Sequence, residues 1–408
     1  MSIVNAPSGA LRGIATGAVT AFLGIPYATA GRFAAPEPTA WSGIGDATRR
    51  GPAAPQPPSR LEHVMGPGTD LAQDEDCLSL NVWTPGGTGL PVLVWLHGGG
   101  FSTGSGAEAW YDGALLAERG PMVVVTLNYR LGALGYLYLS QYFAPANLGL
   151  LDQMAALRWV RENIAAFGGD PARVTVAGQS AGAQSALAIL AHPAGHDLFQ
   201  QVILESAPTG MRPYEPAEAA AIGELYLEAA GLDRVHQERL RSCAVPGLLA
   251  AQLDVARRTR RPLDLSPPFQ LVAADGLPDD LLVPPGMPML IGTTRDEMRA
   301  FAADAPDEAT DRWFRTCALD LAGAARTAYV YQFDWHPQGS ALGACHCIEL
   351  PFVFGGLAAW ERAPMLAGAA PESLNRLVAE VQRAWIGFVH TGSPGWSPHP
   401  HVTHFTGD

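Results

Sequence analysis

A serine bounded by small residues lies near the middle of the 408-residue chain and is the first candidate for chemistry. Residues 178–182 read GQSAG and place Ser180 between a valine-rich run, RVTVA, and an alanine-rich run, AQSALAIL. The G-x-S-x-G pattern at a strand-to-helix turn is typical of a nucleophilic serine, because small neighbours let the strand and the helix approach closely. The sequence therefore predicts acyl transfer through Ser180.

A glycine run, HGGGF at residues 97–101, follows an earlier apolar stretch. Acyl transfer needs backbone N–H groups that point at the developing oxyanion, and glycines leave such groups unobstructed. The residue after the nucleophile usually supplies a further donor. We therefore predict an oxyanion hole formed by Gly99, Gly100 and Ala181.

The nucleophile also needs a base and an acid. A serine hydroxyl is weak at neutral pH, so a histidine must accept its proton and a buried carboxylate must orient that imidazole. Nine of the eleven histidines follow Ser180, so chain order alone does not identify the base.

The elements that would position these residues follow from the apolar pattern. Short apolar runs without polar alternation are separated by stretches of helical spacing, which indicates a parallel sheet covered on both faces and hence α/β architecture. The Pro-rich stretch 51–58 is interpreted as a surface loop. The predicted strands are 91–97, 121–128, 173–177, 201–204 and 288–291, and the predicted helices are 152–167 and 181–191.

Composition excludes several other functions. A net charge of −13 disfavours nucleic-acid binding, and all 26 cationic residues are arginine, so Schiff-base lysines and P-loop lysines are excluded. Five cysteines fit no disulfide framework and predict free thiols in a reducing cytoplasm. We expect no metal site at Cys345-His346-Cys347, no signal peptide and no membrane span, which would need about 20 apolar residues.

The chain resembles the type-B carboxylesterase/cholinesterase family of α/β-hydrolases. The resemblance extends from Gly13 to about Gly392, and its blocks occur in the family's order. These blocks are FLGIPYA, EDCLSLNVWT, WLHGGGF, NYRLGALG, GLLDQ, ALRWV, FGGD, GQSAGA, ESA, GTTRDE and GACHCIELPFVFG.

The resemblance implies an α/β-hydrolase fold, with a mostly parallel central sheet flanked by helices and a reduced helical cap. It implies one domain over residues 1–408, with inserted loop and cap segments at about 51–76 and 209–330. The family's Ser-Glu-His order assigns the acid to Glu297 and the base to His346. Asp296 is the alternative acid and His336 the alternative base.

The resemblance also suggests residues that contact the substrate. Phe101, next to the glycine run, is predicted to line the acyl pocket. Trp110, Tyr111 and Phe352 are further candidates for the pocket, although each fits core packing equally well.

The sequence departs from the family's pattern at several positions. Gln179 precedes the nucleophile where the family mostly carries Glu, and Cys347 replaces the glycine that usually follows the base. Cys77 lacks the upstream cysteine with which the family usually forms its first disulfide. The segment in which cholinesterases carry a choline-stacking Trp offers only Trp41, at its start, so recognition of a quaternary ammonium group is not expected. Only 27 residues separate Phe301 from Tyr329, which predicts a more open and shallower pocket.

These features predict a serine carboxylesterase that hydrolyses short- to medium-chain carboxylic esters through an acyl-enzyme. No cofactor is expected, and the expected partner is a small-molecule ester. A lactone, carbamate or amide hydrolase of the same class is the first alternative, and a non-enzymatic binding protein is the second. The sequence does not distinguish between a monomer and a homodimer as the oligomeric state.

Overall fold

The computed structural model describes residues 2–283 and 286–407. Strands lie at β1 (Ser2–Ala6), β2 (Gly9–Thr16), β3 (Val19–Pro26), β4 (Ala28–Thr29), β5 (Glu37–Pro38), β6 (Ile44–Asp46), β7 (Ser79–Thr84), β8 (Leu90–Leu96), β9 (Val123–Leu127), β10 (Gly169–Gln179), β11 (Gln201–Glu205), β12 (Met289–Thr294), β13 (Ala328–Phe333) and β14 (Val402–Phe405).

The α-helices are α1 (Glu62–Met65), α2 (Ala114–Arg119), α3 (Gly132–Tyr136), α4 (Leu148–Asn163), α5 (Ala181–Ala191), α6 (Pro216–Ala229), α7 (Val245–Thr259), α8 (Asp307–Thr310), α9 (Thr316–Ala324), α10 (Leu350–Phe354) and α11 (Pro371–Thr391). Short 3-10 helices cover Ala109–Tyr111, Ile164–Phe167, Arg234–Ser242, Glu297–Ala300, Leu357–Trp360 and Pro364–Leu366, and a π-helical turn covers Asp311–Arg315. No helix in the described ranges is both long and apolar enough to cross a membrane.

One large sheet has the strand order β1-β2-β3-β7-β9-β8-β10-β11-β12-β13-β14, with β6 beside β2. Pairing is antiparallel from β1 to β9 and parallel from β9 to β14. All five predicted strands and both predicted helices are confirmed. The antiparallel β1–β3 region and the strands β13 and β14 were not predicted, because their short, partly exposed runs lack the continuous apolar pattern of the central strands.

Alternate residues of β8 show why the central strands are apolar throughout. Val92, Val94 and Leu96 pack into the cluster that contains α4 and α5, whereas Leu93 and Trp95 pack on the other face, with α11. A strand covered by helices on both faces has no solvent side on which polar residues would be favoured.

The single domain over residues 1–408 and the bounds of its inserted segments stay a prediction. The predicted cap segment 209–330 contains α6 to α9 but also β12, which lies within the central sheet. Residues 284 and 285 of this segment lie outside the described part of the chain.

The carboxyl ends of the parallel strands position the candidate site. The strand β8 ends directly before the glycine run, and β10 ends directly before Ser180. Glu297 follows β12, and His346 follows β13. Because parallel strands end at the same edge of a sheet, residues distant in sequence converge there, where ligands bind in open α/β folds.

A buried ion pair connects the carboxyl edge of the sheet to the helix α4. Arg130, in the loop after β9, donates from Nη2 to Asp152 of α4 at 2.7 Å and from Nε at 2.8 Å. Its Nη1 also donates to the carbonyl oxygen of Ala34 at 2.8 Å. The two side chains are 6% and 0% exposed, so each charge depends on the other for compensation.

We expect Asp152→Asn to lower the free energy of unfolding by about 3 kcal/mol, because it leaves the Arg130 charge buried without its counter-ion. Urea denaturation measures this change. The control is Asp254→Asn, whose partners Arg257 and Arg258 are 72% and 34% exposed and whose solvent-exposed ion pairs should contribute less than about 1 kcal/mol. Similar losses in the two variants would show that the buried pair has no special role.

Candidate active site

Ser180 occupies a strained turn between β10 and α5. Its φ and ψ are 57° and −125°, a conformation that costs free energy for any residue with a side chain. A Cβ on Gly182 would lie 2.0 Å from the carbonyl oxygen of Leu96, and a Cβ on Gly178 would lie 2.5 Å from the carbonyl carbon of Gly182. Both flanking glycines are therefore required by close backbone approach, as the sequence pattern predicts.

The glycine run packs directly against this turn. Gly99 and Gly100 have φ values of 118° and 59°, and a Cβ on Gly99 would lie 2.0 Å from the carbonyl oxygen of Thr103. A Cβ on Gly98 would lie 3.2 Å from Ser180 Cβ, so the loop and the serine are in contact. Ala181 is the first residue of α5, where backbone N–H groups have no partner within the helix.

His346 and Glu297 form a buried pair. The distance from His346 Nδ1 to Glu297 Oε2 is 2.5 Å, and the two side chains are 1% and 0% exposed. Glu297 Oε1 accepts a second hydrogen bond from the backbone N–H of Thr294 at 2.8 Å. The imidazole packs near the rings of Phe301 and Phe314, with centroids 5.2 and 5.3 Å away. The carboxylate thus holds the proton on Nδ1 and leaves Nε2 as the acceptor.

The alternative acid and base have other contacts. Asp296 accepts from the backbone N–H of Ala344 at 2.9 Å and pairs with Arg295, so it orders the loop that carries His346. His336 Nδ1 contacts the carbonyl oxygen of Pro337 at 2.9 Å, and this histidine does not line the cavity beside Ser180. The geometry favours Glu297 and His346 over both alternatives.

The pKa of His346 reflects opposing effects. Burial lowers it, but the negative charges of ionised Cys347 and of Glu297 together raise the pKa well above its ordinary value. Burial raises the pKa of the Cys347 thiol, so Glu297 supplies the charge that acts at neutral pH. A carboxylate in this position stabilises the imidazolium that forms when the ring accepts a proton.

Two further buried acids lie behind this pair. Burial and the charge of Glu297 raise the pKa of Glu349 to about 7, and Ser206 Oγ donates to Glu349 at 2.9 Å. Burial and Glu349 raise the pKa of Glu205 well above its ordinary value, while Trp385 Nε1 donates to it at 2.7 Å. Sequence reasoning did not single out this network, although each Glu stands inside an otherwise apolar run, QVILE or CIELPFVF.

Gln179 contacts the base directly. Its side-chain Nε2 lies 3.2 Å from His346 Nε2 and 3.4 Å from Cys347 Sγ, and the residue is 1% exposed. The Gln179 amide therefore occupies the side of His346 Nε2 to which the Ser180 hydroxyl would have to donate its proton. Ser180 makes no hydrogen bond to His346 in this structure. Such bonds often form only when substrate binds.

A cavity of about 320 Å³ joins these groups. Ser180, His346 and the three predicted N–H donors all lie on its wall, together with Trp110, Tyr111, Phe301 and Phe314. Its wall includes exposed residues such as Ser59 and Glu62, so the cavity reaches solvent there.

Two predicted pocket residues are not on this wall. Phe101 is fully buried, packs against Tyr136 with ring centroids 5.0 Å apart, and does not line the cavity. Phe352 stacks on Phe333 in the core. Phe101 has a φ of 56°, and its side chain lies in the core. The structure does not support the assignment of either residue to the acyl pocket.

The end of the loop interpreted as a surface loop, 51–58, also forms part of the cavity wall. Residues 56–62 line the cavity, and Gln56 fixes them there. Its Nε2 donates to the carbonyl oxygen of Gly104 at 2.9 Å, and its Oε1 accepts from the N–H of Gly104 at 2.7 Å. This contact between distant segments has no local sequence signal.

A mostly parallel sheet with a serine at the tight turn after a central strand, and a buried His–Glu pair after later strands, defines an α/β-hydrolase. The chain belongs to the carboxylesterase family, whose sequence profile, described as "Carboxylesterase family", matches residues 1–317. It is therefore a carboxylic ester hydrolase, as the sequence predicts.

Relatives match along nearly the whole chain. A protein named probable N-octanoylanthranilate hydrolase from Rhodococcus erythropolis is 40% identical over 97% of this chain and 95% of its own. The para-nitrobenzyl esterase of Bacillus subtilis (strain 168) is 38% identical over 96% and 90%, and the phenmedipham hydrolase of Pseudarthrobacter oxydans is 35% identical over 96% and 90%.

Solved structures confirm the fold. A PNB esterase structure superposes with a TM-score of 0.89 at 35% identity, covering 100% of this chain and 96% of that one. The carboxylesterase EST55 of Geobacillus stearothermophilus superposes with a TM-score of 0.84 at 33% identity, with the same coverage.

We expect Gln179→Glu to shift the pH dependence of ester hydrolysis. A negative charge 3.2 Å from His346 Nε2 favours the imidazolium and raises the pKa of His346. The base is active only when unprotonated, so the acidic limb of the kcat/KM profile should move to higher pH by about one unit or more.

The neutral variant Gln179→Met is the control, since it removes the amide contact without adding charge. Its acidic limb should stay within a few tenths of a unit of wild type, about the range expected without a new charge. An unmoved limb in Gln179→Glu would contradict the placement of this side chain beside the base.

Proposed function

We propose that this carboxylic ester hydrolase is a serine carboxylesterase that acts on short- to medium-chain esters through Ser180, His346 and Glu297. The observation that carries the proposal is the 2.5 Å contact between His346 and Glu297, buried beside the cavity that contains the strained serine. The cavity volume of about 320 Å³ is small for a ligand site, which favours substrates of modest size.

In the first half-reaction, Ser180 Oγ attacks the ester carbonyl carbon while its proton passes to His346 Nε2. The amide of Gln179 must release Nε2 for this transfer. Glu297 stabilises the resulting imidazolium, and the N–H groups of Gly99, Gly100 and Ala181 stabilise the oxyanion. The carbonyl–alkoxy bond then breaks, and the leaving alcohol takes the proton from Nε2.

In the second half-reaction, water attacks the acyl-enzyme carbonyl and transfers a proton to His346 Nε2. Collapse of the second oxyanion releases the carboxylic acid and returns the proton to Ser180 Oγ. Every step uses groups of this chain, so we expect no metal or organic cofactor. A cytoplasmic location also remains a proposal, which rests on the free thiols of the described cysteines.

A second candidate is hydrolysis of a related carbonyl, such as an amide, a carbamate or a lactone. The relative named as a probable N-octanoylanthranilate hydrolase favours the amide, because the substrate in its name carries an N-octanoyl group. A purely binding function is disfavoured, since Ser180, His346 and Glu297 are all present and two of them are paired.

The first test is hydrolysis of p-nitrophenyl esters from acetate to long acyl chains by wild type and Ser180→Ala. We expect the variant to lose kcat/KM by about 10⁴-fold or more, because no other group replaces the nucleophile. The acyl chain length at which the wild type is most active then indicates the length of the acyl pocket.

Ser185→Ala is the matched control. Ser185 is buried in α5, the helix that follows Ser180, where it accepts a hydrogen bond from Gln153 and lies outside the cavity wall, so its loss should leave turnover unchanged. Turnover that persists in Ser180→Ala would overturn the proposed nucleophile. Absence of turnover in folded wild type on every ester would overturn the ester specificity.

A further inference from the structure

A single arginine faces the reacting groups. Arg60 lies on the cavity wall, and its Nη2 is 3.1 Å from the position that a Cβ would take on Gly100. Its guanidinium is therefore adjacent to the loop that would bind the oxyanion. Of the wall residues that the structure describes, no other is an arginine, so Arg60 supplies the permanent positive charge there.

This guanidinium has no partner in the described ranges. Glu62 and Glu108 are the carboxylates on the same wall, yet neither forms an ion pair with it. Glu108 instead accepts from the backbone N–H of Thr69 at 2.7 Å. The hydrogen bond found at Arg60 is accepted by its backbone oxygen, from His63 Nδ1.

Two other arginines, Arg50 and Arg32, are satisfied by several acceptors, in contrast to Arg60. Arg50, close by, donates to Asp112 and to the backbone oxygen of Glu108. Arg32 likewise donates to Glu75 and to two carbonyl oxygens. A guanidinium carries five N–H donors in a fixed fork that matches a carboxylate, and those of Arg60 remain available toward the cavity.

A second arginine increases the need for an anion. Arg60 is exposed at the opening of the cavity, yet the surrounding wall removes part of its hydration, and this desolvation and the charge of Arg260, at the end of α7, both lower the pKa of Arg60. Arg260 also makes no ion pair within the described residues. A negative group bound at Arg60 would relieve this like-charge repulsion.

We propose that the substrates of this enzyme carry a free carboxylate in addition to the scissile ester, and that Arg60 binds that carboxylate. This inference rests on the proposed esterase function. The whole chain has a net charge of −13, which disfavours the approach of anions, so an anionic substrate needs a local cation of this kind. Arg60 touches the substrate away from the reacting bond and determines specificity.

The test compares matched anionic and neutral esters. For a carboxylate on the acyl side, mono-p-nitrophenyl adipate is compared with the isosteric ester in which an isopropyl group replaces the carboxylate. For a carboxylate on the alcohol side, meta-acetoxybenzoate is compared with meta-acetoxybenzamide. Each pair is measured with wild type, Arg60→Gln, Arg60→Lys and the control Arg161→Gln, an exposed arginine of α4 that changes net charge equally.

We expect Arg60→Gln to lower kcat/KM for the anionic ester of at least one pair by about 10- to 100-fold, mainly through KM, because a charge-assisted bidentate contact is lost. The neutral partner should change less than about twofold, and Arg60→Lys should recover part of the loss. The pair that responds identifies the side that carries the carboxylate. Arg161→Gln should leave both esters unaffected.

Equal effects of Arg60→Gln on the anionic and neutral esters, or no effect on either pair, would overturn the inference. Either result leaves the esterase proposal intact as long as the neutral esters are hydrolysed through Ser180. Failure of wild type to hydrolyse any of the four esters would instead contradict the esterase proposal itself.

Discussion

The close approach of β10 and α5 around Ser180 is the constraint on which the rest of the site depends. No Cβ fits on Gly178 or Gly182, and Ser180 is held at φ 57°. Packing on both faces of the sheet keeps this strained conformation in place, because strand and helix belong to a continuous core. The turn places Ser180 at the carboxyl edge of the sheet, where the glycine run and His346 also lie.

Electrostatics determine how that serine can react. Three buried glutamates lie near one histidine, and they have different partners. Glu297 contacts the imidazole directly, whereas Glu349 and Glu205 are bonded to Ser206 and Trp385 and have raised pKa values. One full negative charge beside the ring favours proton transfer, while the raised pKa values of Glu349 and Glu205 favour their neutral forms and so reduce further repulsion in a low-dielectric interior.

Local sequence patterns were sufficient for the features that depend on local backbone geometry. The apolar runs predicted the central strands, and the glycines around Ser180 predicted its turn. The pairing of His346 with Glu297 came from family resemblance, because nine histidines follow the serine. The contact of Gln179 with the base and the course of residues 56–62 depend on contacts between distant segments, which no periodicity encodes. The packing of Phe101 against Tyr136 is likewise a tertiary contact that the local pattern does not encode.

Labelling with a fluorophosphonate, followed by peptide mass spectrometry, tests most directly whether Ser180 is a nucleophile activated by His346. We expect one adduct, on the peptide that contains Ser180, and a labelling rate that falls about 10³-fold or more in His346→Gln because the hydroxyl loses its general base. An adduct on another serine, such as Ser206, or an unchanged rate in His346→Gln, would contradict this assignment.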